Sequence, residues 1–201
     1  LLANDSDADT ATDGDVLRIS SVGQAEHGMV FLDANGDVRF VPDANYNGPA
    51  SHTYWVSDGH DGVDGVQPVP ATVQLNILQV NDLPVVTGET IASDEDVVLS
   101  IDPALLLAND SDVDTDAALN QAAGARQTLT ISAVSGAQHG TVALLPDGTV
   151  QFTPELNYVG AASFNYTVDD GAGGQVQTTA VLNLAPVNDA PDVAGEIINI
   201  N

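Results

Sequence analysis

The chain repeats itself, and that duplication restricts its fold more than any other feature. Leu2-Ala3-Asn4-Asp5-Ser6-Asp7 returns as Leu107-Ala108-Asn109-Asp110-Ser111-Asp112, an offset of 105. His27-Gly28 returns as His139-Gly140, and Asn45-Tyr46-Asn47-Gly48 as Asn157-Tyr158-Val159-Gly160, both at an offset of 112. Val80-Asn81-Asp82 with Pro84 returns as Val187-Asn188-Asp189 with Pro191, at 107. The offsets put seven extra residues in the second copy (112 − 105), between residues 115 and 126, and five in the first (112 − 107), between residues 60 and 70. Both insertions fall in stretches rich in Gly, Ala or Asp, as loops do. The chain is a tandem repeat, with one unit over residues 1–84 and a second over 85–191.

Within each copy the apolar period is two. Val142, Leu144, Val150 and Phe152 alternate with small or polar residues around Pro146-Asp147-Gly148, the pattern of a β-hairpin. Val30, Leu32, Val38 and Phe40 repeat it around Asn35-Gly36. Phe164, Tyr166 and Val168 alternate likewise, as do Leu129 with Ile131 and Leu182 with Leu184. The longest helical stripe is a turn over residues 103–108, so each copy is expected to be an antiparallel β-sandwich. The second copy opens with an expected strand over residues 96–101 that has no counterpart before Leu1. Gly195-Glu196 matches Gly88-Glu89, so residues 192–201 read as the start of a third copy of a longer polypeptide. The first copy is then expected to lack its first strand and to carry an unpaired edge over an apolar groove. The tail of a neighbouring molecule could fill it by strand exchange.

Charge sets limits on partners. Twenty-nine acids face three bases, for a net charge of −26. Nucleic acid is excluded, because nothing could neutralise its phosphates. Twenty-four of the acids are Asp, a residue of turns rather than helix surfaces. Carboxylates are therefore expected in loops, gathered around something positive. Cysteine is absent, which removes disulfides and thiolate zinc sites. No apolar run approaches the roughly 20 residues of a membrane span.

Five motifs, in the same order in both copies, resemble the cadherin-like tandem repeats of large bacterial surface adhesins, proteins found with type I secretion and repeats-in-toxin modules. They are residues 107–114, His139-Gly140-Thr141-Val142, residues 148–154, residues 166–171, and Val187-Asn188-Asp189-Ala190-Pro191. The resemblance implies two cadherin-like, immunoglobulin-like Greek-key sandwiches joined by calcium. It assigns the joint between the copies to Asn81 and Asp82 of the linker with Asp112, Asp114 and Asp169 or Asp170 of the second copy. The following joint would use Glu95, with Asp94 or Asp96, plus Asn188 and Asp189. The preceding joint would use Asp7, Asp9 and Asp58. An Asp-x-Glu that cadherins carry between the middle strands is missing at residues 42–46 and 154–158, which implies one or two ions per joint.

The chemistry agrees with the donor types. Calcium takes about six to eight oxygens at roughly 2.3–2.6 Å, and magnesium demands tighter octahedral geometry. Two carboxylates about 4 Å apart repel by roughly 4 kcal/mol at an effective dielectric near 20, and a divalent ion reverses the sign. Asp33, Asp61, Asp64 and Asp147 stand beside Gly or Asn and read as turn formers. His27 and His139 read as structural residues at strand starts. His52, at the position of Phe164, reads as a partly buried substitute, and His60 is the histidine best placed to bind a ligand. Tyr46 and Tyr158 read as packing residues. Trp55 faces away from Tyr54 and reads as a scattered exposed aromatic.

No nucleophile elbow, phosphate loop or metalloprotease motif is present, so no enzyme is expected. The expected function is that of calcium-binding extender repeats of an extracellular adhesin, at the cell surface or secreted. Its partners are neighbouring repeats, with a host or abiotic surface, glycan or protein met through other domains. Two alternatives stay open: a module that grips a glycan or protein through Trp55, and an accessory region of a large secreted enzyme.

Overall fold

The structure is a computed structural model that describes residues 1–8, 15–60, 67–122, 124, 126–191 and 195. It divides into two compact units. The first holds Leu1–Asp82 with Val113–Gln127, and the second Leu83–Asp112 with Thr128–Asn201.

The second unit is a two-sheet sandwich. One sheet has the order β6 (Thr90–Asp94), β12 (Gln175–Ala185), β11 (Gly160–Asp169), β8 (Thr130–Gln138). The other has the order β7 (Leu99–Ile101), β10 (Val150–Pro154), β9 (Gly140–Leu144). β6 runs parallel to β12, with Leu182 beside Ile91 and Leu184 beside Ser93, whereas β11 pairs antiparallel with β12 and with β8. The alternation that marks the strands also fills the core. Val150, Phe152, Phe164, Tyr166, Val168, Ala180 and Leu182 are sealed from solvent, and Phe152 stacks on Phe164 at 5.9 Å. A one-turn helix, α1 (Pro103–Leu106), plugs one side with the fully buried Leu106. Asp102 caps it by accepting the Ala104 amide at 2.9 Å, and Pro103 supplies the fixed φ of a first helical residue.

The first unit has the same plan with fewer strands. β1 (Arg18–Glu26), β4 (Gly48–Ser57) and β5 (Val69–Ile77) form one sheet in the order β1-β4-β5. The hairpin β2 (Gly28–Leu32) and β3 (Val38–Pro42) forms the other. By the repeat offsets these five match β8, β11, β12, β9 and β10. Among the described residues the first unit has no counterpart of β6 or β7, so the outer edges of β5 and β3 carry no strand. The expected missing first strand is therefore two strands.

The strand expected over residues 96–101 is corrected in the same way. It begins only at Leu99, and a separate strand, Thr90–Asp94, precedes it. Between them Asp96 adopts φ 58°, a left-handed conformation that breaks the ladder and sends the chain from one sheet to the other. His52 is also more buried than expected, at 3% exposure, and stacks on Phe40 at 6.0 Å as Phe164 does on Phe152. Trp55 is half-buried, its ring 3.0 Å from where a Cβ on Gly23 would lie. The cause is local: the missing Cβ of Gly23 leaves room for the indole.

The extra residues of the second copy are not a bare loop. Residues 113–127 belong to the first unit, where Asn47 and Asn120 form a parallel bridge. The Asn47 amide donates to the Leu119 carbonyl at 2.9 Å, and Gln121 donates back to the Asn47 carbonyl at 3.1 Å.

Candidate metal sites

The expected turn formers behave as such. Asp33 Oδ1 accepts the amides of Asn35 and Asp37, each at 2.9 Å, and Asp147 Oδ1 accepts that of Thr149 at 3.0 Å. The Thr149 amide holds the Asp147 carboxyl below its usual range. Asp61 and Asp64 lie outside the described residues. His27 and His139 each take a left-handed conformation just before β2 and β9, with φ of 59° and 56°. Each ring stacks flat on the repeated tyrosine: His27 on Tyr46 at 4.0 Å and His139 on Tyr158 at 3.9 Å. These are packing contacts.

The expected ligands can be located unit by unit. In the first unit, the Asp82 amide donates to Asp114 Oδ2 at 2.9 Å. Gln127 Nε2 donates to the same oxygen at 3.3 Å and also to Asn81 Oδ1. Asn81, Asp82 and Asp114 are thus held by one hydrogen-bond network, and Asp114 is 2% exposed.

Asp112, Asp169 and Asp170 belong to the second unit. Asp112 is 6% exposed and Asp170 is 1%. Asp170 Oδ1 closes the glycine turn between β11 and β12 by accepting the amides of Ala172 at 2.7 Å and Gly174 at 2.9 Å. Asp169 Oδ1 accepts the Gly171 amide at 2.7 Å. At another edge of this unit, Glu95 is 4% exposed and its Oε1 accepts the Val187 amide at 2.9 Å. The Asn157 amide donates to Asp96 Oδ1 at 2.8 Å. With its carboxamide turned to face acceptors, Asn157 also donates to Asp189 Oδ2 at 3.1 Å and Asp96 Oδ2 at 3.2 Å. Asp96 and Asp189 therefore flank one residue, while Asp94 and Asn188 are exposed.

The remaining expected ligands are in the first unit. Asp7 and Asp58 line a cleft of 420 Å³ together with Asp5, and Asp9 lies outside the described residues. Asp58 meets two further ligands. One ligand atom from each of Asp15, Asp58 and His60 lies within 4.8 Å of the others, and His60 Nδ1 is 3.5 Å from Asp15 Oδ2. Asp15 was not a sequence candidate. Its signal was available, because at an offset of 112 it stands where the second copy has Gln127, the residue that binds Asn81 and Asp114.

A polar network beside the repeated Leu-Ala-Asn-Asp motif also escaped sequence reading. Tyr166 donates its hydroxyl to Glu89, while the Thr87 amide donates to Asp110 Oδ1 at 2.9 Å. Burial pushes the Glu89 and Asp110 carboxyls above their usual range, with Asp110 adding to the effect at Glu89. Burial and Glu89 together raise the Tyr166 hydroxyl. In the first unit Tyr54 meets Asp5 at 3.3 Å, and its hydroxyl is raised by burial and then by Asp5.

The donor set is all oxygen apart from His60, and four expected ligands, Glu95, Asp112, Asp114 and Asp170, are at most 6% exposed. Buried carboxylates of this kind suit a hard cation such as calcium.

Comparison with known proteins places these features. The family profile described as "Cadherin-like domain" matches residues 1–77 and again 80–185. The crystal structure of human mucin-like protocadherin EC1-2 is similar to the chain with a TM-score of 0.52 and 16% identity, covering 87% of this chain and 86% of that one. Human CDH23 EC21-23 is similar with a TM-score of 0.51 and 15% identity, covering 89% and 60%. These likenesses show the fold. An endo-fucoidan hydrolase of glycoside hydrolase family 107 shares 18% identity over 88% of this chain and 24% of its own, at a TM-score of 0.30. Comparison with curated proteins returns no match.

Proposed function

Because the chain belongs to the cadherin-like domain family, with both copies matched, we propose that it forms calcium-binding extender repeats of a bacterial adhesin, displayed at the cell surface or secreted. Cadherin-like domains commonly serve as extracellular adhesion and extender repeats and typically bind calcium. Among the described residues no helix is long and apolar enough to cross a membrane.

The observation that carries the proposal is the burial of Glu95, Asp112, Asp114 and Asp170 to 6% exposure or less. In a chain of 29 acids and three bases, the hydrogen bonds these buried carboxylates accept leave their negative charge in place, and a cation supplied from outside would offset it. Calcium would supply that charge. Asn81, Asp82, Asp112, Asp114, Asp169 and Asp170 would hold it at the joint between the copies, Glu95, Asn188 and Asp189 at the next, and Asp7, Asp9 and Asp58 at the one before. The work done is mechanical: occupancy stiffens the linker and keeps a distal binding domain away from its anchor. No catalytic step is assigned to the chain.

Calorimetric titration with calcium, paired with thermal melting in chelator, tests this. Saturating calcium at about 100 times Kd is expected to stabilise the chain by roughly 2.7 kcal/mol per site. Asp114→Asn, which keeps the size of the side chain, is expected to weaken calcium binding at least tenfold. No heat of binding and superimposable melts would remove the reading.

A further inference from the structure

The outer face of the β1-β4-β5 sheet differs from its counterpart in the second unit in one coordinated way. On β4, Thr53 and Trp55 alternate with the buried His52 and Tyr54, so they stand on the side of the sheet away from the core. Trp55 lies beside Ser21 of β1 and Pro70 of β5, and Thr53 lies beside Gly23 and Thr72. At the repeat offset of 112 the second copy has Thr167 for Trp55 and Ser135 for Gly23. The first copy thus has an indole more and a side chain fewer, at diagonal positions on neighbouring strands.

That pairing fixes how the ring lies. Its benzene carbons Cζ3 and Cη2 come within 3.0 and 3.2 Å of where a Cβ on Gly23 would be. The indole therefore leans across β1 along the sheet instead of standing up from it. One ring face covers the backbone at Gly23, the other is turned to solvent, and the N–H is on the side away from Gly23. Around it Ser21, Pro70, Thr72 and Gln74 are exposed. The surroundings are neutral in a chain of 29 acids: β4 and β5 hold no charged residue, and β1 holds two, Arg18 and Glu26, at its opposite ends.

We propose that this face binds a neutral polysaccharide, with one sugar ring seated on the indole of Trp55. A pyranose presents an apolar C–H face and a rim of hydroxyls. The indole meets the first, and the hydroxyls and amide of Ser21, Thr53, Thr72 and Gln74 meet the second. An acidic polysaccharide is repelled by a chain of charge −26 and finds no base in the middle of the face. A protein partner needs an apolar centre within roughly 1,000 Å² or more of buried surface, whereas one aromatic ring stands here among hydroxyls and an amide. The carboxylates assigned to calcium lie outside these three strands, so the two readings stand or fall separately.

The test uses the full chain and its own fluorescence, since Trp55 is the one tryptophan and its emission reports this face alone. The probes are dextran, laminarin and galactomannan, with alginate as the acidic control. At least one neutral polysaccharide is expected to shift the emission to shorter wavelength and to retard the chain in an affinity gel, and alginate to do neither. Trp55→Ala should weaken retardation by at least about tenfold, and Trp55→Phe should weaken it less. Gly23→Ser keeps the indole but displaces it from β1, and should weaken binding while melting close to wild type. Calcium binding, read by calorimetry, should be unchanged in Trp55→Ala. Three results would overturn the proposal: no response to any of the neutral polysaccharides, retardation undiminished in Trp55→Ala, or retention by alginate alone. Emission that changes on dilution of the chain without polysaccharide would assign the face to a second copy, and the glycan site would fall.

Discussion

The two units are built from one repeat, and among the described residues they differ most at the edge where one has two strands more. Val150, Phe152 and Leu182 are fully buried in the second unit, whereas Val38, Phe40 and Leu75, at the same places in the first, are only half-buried. The central strands match closely by contrast: Tyr166 is sealed and Tyr54 is 5% exposed. The side-chain pattern of a strand therefore selects its face, but its burial is decided by the neighbour across the edge.

The largest expected effect exploits that difference. Leu182→Ala should cost about 2–5 kcal/mol, the range for emptying a closed core site. Leu75→Ala should cost markedly less, about 1–2 kcal/mol, because the side chain starts half exposed. Urea unfolding of each variant measures both, and equal costs would erase the distinction between the units.

A smaller effect is expected from His52→Phe. The imidazole is 3% exposed, and its Nδ1 reaches only the Thr53 carbonyl at 3.4 Å. Phenylalanine would restore the aromatic pair that Phe152 and Phe164 form and stabilise the first unit by about 1 kcal/mol. A loss of stability would mean that the imidazole makes a contact the core depends on.

The smallest effect is one of pH. The folded Glu89 carboxyl is raised above its unfolded value, so the native state binds its proton more tightly than the unfolded chain does. The resulting stability is complete below the ordinary carboxylate range and is lost as pH rises through the raised value. Glu89→Gln keeps a partner for Tyr166 and should flatten that part of the profile. Urea midpoints across the acid range, taken as wild type minus variant, check the sign. A variant profile parallel to wild type would show that Glu89 does not titrate differently on folding.

Much of this was legible in the sequence, for identifiable reasons. Both hairpins carry strict alternation around Asp147-Gly148 or Asn35-Gly36, and strict alternation survives any tertiary context. The linker Asn-Asp motifs and Asp112-x-Asp114 gave the candidate carboxylates. What escaped depended on distant partners. Thr90–Asp94 is short and half polar, and it becomes a strand only through β12. The stretch around Asn120 looks like a loop because its bridge is to Asn47, remote in sequence. Asp15 gained meaning only from Asp58 and His60, which a separate segment supplies.

Hydrogen exchange at two backbone amides tests the central contrast most directly. Val181 donates to the Glu89 carbonyl, and Gln74 occupies the matching position facing the open edge of β5. Gln74 should exchange orders of magnitude faster than Val181. Equal protection of the two amides would contradict the account.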